Sequence, residues 1–288
     1  MSKSTLKAAQ YSLQRFLNQQ QRHLSLPLLH NRKERLTTVI HDLHHCGYAI
    51  KGITKLKPKH IEALTQYWQH KGLSVGTIKN RMSDLRFIAK ATQQKGLIKR
   101  NQAYHLGTRQ AQHTNKAIHQ PDFSMVEDHG IYLSLQLQYH FGLRREEALK
   151  IQPHKADHGT YLRLDRTWTK GGIGRCIPIT TEAQCHWLEQ AKLHTSHSMI
   201  PKDKPYIEQR KQYQYHTQKA GITNPHGLRH AYAQRRYQVL ATMPCPHQGG
   251  KSRQSMTPQQ RAADQRARQI LSRELGHVRT EITRVYLG

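Results

Sequence analysis

Chemistry in this sequence concentrates in its last stretch, Thr280-Glu281-Ile282-Thr283-Arg284-Val285-Tyr286-Leu287-Gly288. Thr280 is a residue type that caps helices. In a short helix starting there, Ile282, Val285 and Tyr286 fall at i, i+3 and i+4 on one face. That spacing predicts Ile282 and Val285 as the anchors of the helix. An isolated tyrosine in such a place usually belongs to a core. Here Leu275-Gly276-His277 lies just upstream and puts a histidine directly after a helix end. A tyrosine hydroxyl held among histidines and arginines is a nucleophile suited to a phosphate.

Suitable partners occur upstream. Asn224-Pro225 fits the cap and first turn of a helix beginning His226-Gly227-Leu228-Arg229-His230. His226 and Arg229 are neighbours on its first turn, where positive potential and free N–H groups favour an anion. Arg144 follows a glycine in Gly-Leu-Arg-Arg-Glu-Glu-Ala-Leu, well set to project a guanidinium into a cleft. Lys170 lies near the tip of a glycine-rich hairpin, between strand-like segments at 161–165 and 176–179. The spacing of a phosphate-cradling P-loop is missing there, so the lysine reads as a single mobile ammonium group.

The elements that must position these groups fall into two parts. Apolar stripes predict four short helices in the first third: Leu6 to Leu17, Leu36 to Cys46 stopped by Gly47, Pro58 to Gly72, and a fourth capped by Ser74. The fourth carries Lys79, Arg86 and Lys90 on a stripe away from its apolar face, read as contacts to DNA phosphates, with Arg86 reaching a base. Residues 1–106 thus form a helical domain, 107–121 a linker and 122–288 a second domain. In the second, the alternation of Leu133, Leu135, Leu137, Tyr139 and Phe141 predicts a strand. Residues 243–256 form a basic loop rich in Pro, Gly and Ser, and Thr257-Pro258 starts a long helix.

Composition narrows the partner. Lys and Arg number 46 against 18 acidic residues, a net charge of +28. Such an excess repels itself unless a polyanion neutralises it, and nucleic acid does so with release of counterions. No apolar run is long enough to span a bilayer, and Met1-Ser2-Lys3-Ser4 begins no signal peptide. The expected location is cytoplasmic, associated with the nucleoid when bound to DNA. The four cysteines form no C-x-x-C pair, and His41, His44, His45 and Cys46 lack a second ligand pair at zinc spacing. No metal is expected.

Arg144, Lys170, His226, Arg229, His277 and Tyr286, in this order, resemble the tyrosine recombinase (phage integrase) family. The N-terminal part is similar to the family's core-binding domain, with Gly-Leu-Ser-Val-Gly-Thr-Ile-Lys-Asn-Arg matching its DNA-contacting helix. The resemblance implies a mainly α fold with a small antiparallel β-sheet: a helical core-binding domain and a catalytic domain that together form a C-shaped clamp on DNA. It also implies that 131–141 is helix rather than strand.

The implied reaction is site-specific recombination. Tyr286 attacks a phosphodiester to give a 3′-phosphotyrosyl link and a free 5′-hydroxyl. Arg144 and Arg229 stabilise the transition state, and His277 hydrogen-bonds the same phosphate. His226 assists proton transfer at the tyrosine, Lys170 protonates the departing 5′-oxygen, and Glu147 supports the cluster. No cofactor is implied, because the covalent link conserves the energy of the broken bond. Expected partners are a homotetramer on paired DNA sites and accessory DNA-bending factors, in integration or excision of a mobile element. Many members carry a further C-terminal helix that docks on a neighbouring subunit, whereas this sequence stops at Gly288, which lowers the expectation for that mode of assembly. The gap from Arg229 to His277 is longer than usual. The other readings are a type IB topoisomerase-like relaxation of DNA and a non-catalytic DNA-binding factor.

Overall fold

The stripes of the first third fold as helices in the computed structural model: Lys3–Gln19 (α1), Leu26–His45 (α2), Pro58–His70 (α3) and Val75–Ala91 (α4). The structure describes residues 3–23, 26–109 and 114–288, and the chain splits into two compact units, Met1–Ala111 and Gln112–Gly288. Ser74 caps α4 by accepting a bond from the Thr77 amide at 3.2 Å. Leu13, Leu36, Val39, Leu64, Trp68, Met82 and Leu85 meet in one apolar core. Buried charges tie the bundle together. Asp42 accepts from Trp68 Nε1 at 2.8 Å and Arg81 Nη1 at 2.6 Å. Asp84 accepts from Arg35 and lies 3.3 Å from Arg32 Nε.

The second unit runs His129–Phe141 (α5), Arg145–Lys150 (α6), Pro153–Ala156 (α7), Tyr161–Leu164 (β1), Arg175–Pro178 (β2), Glu182–His194 (α8), Tyr206–Lys219 (α9), His226–Ala241 (α10), Pro258–Glu274 (α11) and Arg284–Leu287 (α12). The strand expected over 131–141 is α5, capped by the Asp128 carboxylate, which accepts from the Ile131 amide at 2.9 Å. Its alternation arises because both sides are buried. Leu133, Leu137 and Phe141 enter one apolar cluster, while Ile131 and Leu135 enter a second. A helix enclosed all round shows no single apolar stripe.

The sheet is small, with β1 and β2 paired antiparallel in the register Leu162↔Ile177 and Leu164↔Arg175. The segment between them, 165–174, is longer than a tight hairpin and includes a 3-10 turn at Arg166–Trp168. Part of the expected linker, 110–113, lies outside the described residues. Further on, the Ile118 amide donates to Gly227 O at 3.1 Å, and His119 Nε2 lies 2.9 Å from Gln234 Oε1, so this strand of chain packs along α10. The 243–256 loop is fastened at Cys245, which is buried, and at His247 O, which accepts from Asn115 Nδ2 at 3.1 Å. Among the described residues, no helix is long and apolar enough to cross a membrane.

The C-terminal segment corrects one expectation. A 3-10 turn at Thr280–Thr283 precedes α12, and Thr280 makes no side-chain cap. This tighter turn shifts the helical phase, so Thr283, Tyr286 and Leu287 face inward while Ile282 and Val285 are 37% and 41% exposed. The tyrosine and its leucine neighbour anchor the segment, not the two β-branched residues.

Candidate active site

Four elements end around Tyr286: the N-terminus of α10, the C-terminus of α11, the turn from α5 into α6, and α12 itself. Two glycines shape that convergence. Gly142 closes α5 at φ +64°, where a Cβ would stand 2.4 Å from the Tyr232 ring. Gly276 closes α11 at φ +66°, where a Cβ would meet Arg175 Cδ at 3.0 Å. Both positions need the left-handed backbone that glycine adopts without strain.

Arg229 is fully buried. It donates through Nη1 to Gly142 O at 2.5 Å and through Nη2 to Leu275 O, which ties it to both helix ends. Its Nε donates to the Tyr286 hydroxyl at 3.2 Å. Burial, opposed in part by the nearby Tyr286 and Glu147, pushes its pKa down to about 10, so the guanidinium stays charged at neutral pH.

His277 Nε2 lies 3.2 Å from the Tyr286 hydroxyl and 3.4 Å from Arg229 Nη2. A guanidinium can only donate, so Nε2 of His277 is an acceptor here. The tyrosine hydroxyl can then accept from Arg229 and donate to His277. Burial, followed by repulsion from Arg229, Arg144 and Arg175, lowers the His277 pKa to about 3, so the ring is neutral at pH 7.

His226 sits farther away, with its ring centroid 6.1 Å from that of Tyr286. Its pKa is lowered to about 4 by the protein around the ring and then by Arg229 and Arg144. Its outer side is open to water, which screens repulsion from the guanidiniums more than a closed pocket would.

Arg144 is held from below and open above. Glu147 accepts its backbone N–H at 2.7 Å and its Nη1 at 2.8 Å, while Nη2 has only a 3.5 Å contact with Gly276 O. Glu147 is completely buried. Burial alone would raise its pKa, but hydrogen bonds and charge from Arg175, with Arg229 and Arg144, outweigh that and hold it at about 2. Lys170 is exposed on the glycine-rich loop and makes no hydrogen bond or ion pair with this cluster. In the other unit, Arg86 donates to Asn101 Oδ1 at 2.7 Å and Lys99 O at 3.1 Å, which engages the group expected to read a base. Lys79 is half-buried and Lys90 exposed.

Sequence reasoning missed two residues. His230 is buried, with its ring centroid 4.6 Å from that of Tyr286 and no partner for Nδ1. Its position four residues after His226, on the same helical face, was the available signal. Arg175 is the other. It grips Glu147 with Nη1 to Oε1 at 2.8 Å and Nη2 to Oε2 at 2.6 Å, and its Nε donates to Glu274 O at 2.7 Å.

The geometry brings together a tyrosine hydroxyl, a neutral histidine acceptor and one open guanidinium over a buried carboxylate. Two family models match the chain in sequence: phage integrase, N-terminal, over residues 11–98, and integrase, over residues 105–235. This chain belongs to the tyrosine recombinase (phage integrase) family. Its integrase match covers the residues that supply Arg144, Lys170, His226 and Arg229.

Solved structures carry the likeness in fold. The Tn1549 transposon integrase in complex with circular intermediate DNA has a TM-score of 0.56 at 15% identity, over 96% of this chain and 95% of that one. A lambda integrase dimer bound to a COC′ core site has a TM-score of 0.62 at 14% identity, over 96% of this recombinase and 76% of that chain. A lambda integrase tetramer bound to a Holliday junction has a TM-score of 0.56 at 14% identity, over 94% and 77%. No curated protein matches the chain.

Proposed function

We propose that this recombinase cuts and rejoins double-stranded DNA at specific sites through Tyr286, in integration or excision of a mobile element. The observation that carries the reading is the Tyr286 hydroxyl, bonded at 3.2 Å to both Arg229 Nε and His277 Nε2. In the cleavage step, a bond forms between the tyrosine oxygen and a DNA phosphorus, and the bond from that phosphorus to the 5′-oxygen breaks. The tyrosine proton passes to the neutral His277. The closer contact favours His277 over His226 as acceptor, which leaves His226 to hydrogen-bond the phosphate. Arg144 offers its open donors to the non-bridging oxygens as their charge grows, and Arg229 joins it as its contact to the tyrosine is released. Lys170, free on its loop, protonates the departing 5′-oxygen once DNA draws the loop in.

Residues 1–106 act as a core-binding domain and 122–288 as the catalytic domain. The partner is double-stranded DNA, in keeping with a net charge of +28. The proposal includes a homotetramer on paired sites, supported by the likeness to the tetrameric lambda integrase on a junction, and, as an expectation from the sequence alone, accessory DNA-bending factors. The proposed location is cytoplasmic, on the nucleoid.

The test uses nicked suicide duplexes and paired circular substrates, built from the DNA at the ends of the element that carries the gene. A protein–DNA adduct together with exchanged product strands supports the reading. An adduct with relaxation of supercoils and no exchange would make the protein a topoisomerase, and specific binding with no adduct would make it a non-catalytic factor.

A further inference from the structure

We propose that Arg175, the first residue of β2, is a positioning residue for cleavage: it neutralises and orients Glu147, so that Arg144 keeps its positive charge for the phosphate. The inference rests on the reading of Arg144 as a phosphate-binding group.

Every oxygen of Glu147 is doubly engaged. Oε1 accepts from Arg144 Nη1 and Arg175 Nη1, both at 2.8 Å. Oε2 accepts from the Arg144 amide at 2.7 Å and from Arg175 Nη2 at 2.6 Å. Without Arg175, Glu147 keeps only Arg144 and the more distant Arg229, at 4.0 Å, and the carboxylate cancels more of the field that Arg144 directs into the cleft. With Arg175 the trio carries a net positive charge, and the only guanidinium edge of it that faces outward is that of Arg144.

Arg175 cannot itself meet DNA. Its side chain is 5% exposed, its Nε is spent on Glu274 O, and Gly276 packs against its Cδ. Its effect on chemistry therefore passes through Glu147. The two-pronged grip also fixes the plane of the carboxylate, which a lysine ammonium would not do.

The experiment compares Arg175→Lys with wild type in single-turnover cleavage of three duplexes. These carry an ordinary phosphodiester, a methylphosphonate, or a 5′-bridging phosphorothiolate at the scissile position. DNA affinity and thermal melting are recorded alongside. Arg175→Lys should slow cleavage of the ordinary duplex roughly 100-fold, as loss of one preorganised transition-state contact does, at unchanged DNA affinity. The defect should shrink on the methylphosphonate, which lacks the charge that Arg144 stabilises. It should persist on the phosphorothiolate, whose thiolate leaves without a proton.

Equal defects on the phosphodiester and the methylphosphonate would overturn the inference. So would rescue by the phosphorothiolate, which would place the effect on the loop that carries Lys170. If Arg175→Lys does not fold, Arg175→Gln, which leaves Glu147 paired with Arg144 and within 4.0 Å of Arg229, is read on the same duplexes by the same criteria. Absence of any Tyr286-dependent adduct in wild type would instead sink the reading of the site. A wild-type adduct with an unimpaired Arg175→Lys would sink this inference alone.

Discussion

Each unit of this recombinase buries a carboxylate among arginines, and the two clusters serve different ends. In the first unit, Asp84 is gripped by Arg35 and approached by Arg32, whose guanidinium lies 3.9 Å from the centre of the Phe87 ring. Among the described residues, no tyrosine, histidine or cysteine bonds to this cluster, which joins α2 to α4. In the second unit, Glu147 binds Arg144 and Arg175 with Arg229 at 4.0 Å, and the arginines continue to a tyrosine hydroxyl and a neutral histidine. A buried arginine–carboxylate pair is therefore no mark of catalysis by itself. What sets the proposed site apart is cationic charge beyond what the carboxylate uses, beside a tyrosine hydroxyl.

That contrast can be broken by experiment. Asp84→Ala leaves Arg32 and Arg35 without their anion and should destabilise the protein by about 3 kcal/mol, read by thermal or urea unfolding. The adduct formed by the folded fraction should keep its wild-type rate, and a lost rate would erase the distinction between the clusters. Arg229→Lys should do the reverse in kind, lowering the cleavage rate about 100- to 1,000-fold, measured in single turnover with DNA in excess.

Glu147 gives a pH signature. Its folded pKa of about 2 lies below the ordinary value of 4.5, so its contribution is present above pH 4.5 and is lost as pH falls toward 2. The loss is on the order of 3 kcal/mol, and Glu147→Gln should flatten that limb of the unfolding curve. His277 and His230 act from the other side. Their folded pKa values, about 3 and about 4, lie below 6.5, so protonation of the unfolded chain costs stability as pH drops below 6.5. The cleavage rate should accordingly show no titration of His277 near pH 6.5. The smallest expected effect is Lys79→Ala, which should reduce the salt slope of DNA binding by about 0.9 if it meets one phosphate.

Much of the fold was legible because local patterns agreed with the global structure. Ser74 and Pro58 mark helix starts, Gly47 and Gly72 mark stops, and the stripes between them point at one core. Legibility failed where burial came from all directions. Leu133, Leu135 and Leu137 look like an alternating strand because α5 is wrapped on every side by apolar neighbours. Ile282 and Val285 look like anchors until the 3-10 turn rotates them outward.

In the site, Arg144, Arg229, His277 and Tyr286 could be named by type and order, and the structure brings them together. Arg175 could not. Its carboxylate partner is 28 residues away, and an arginine at a strand start reads as a surface charge. Lys170 was named as well, yet its loop leaves it exposed and apart from the cluster.

The central claim is that Tyr286 becomes joined to the 3′ end of a cut strand. Its most direct test is a suicide duplex labelled separately on either side of the nick, followed by mapping of the adduct. The account predicts that label from the 3′-phosphate side stays on a peptide containing Tyr286, that the released strand has a 5′-hydroxyl which a polynucleotide kinase can label, and that Tyr286→Phe forms no adduct. A wild-type level of adduct in Tyr286→Phe, or label retained from the 5′ side, would contradict it.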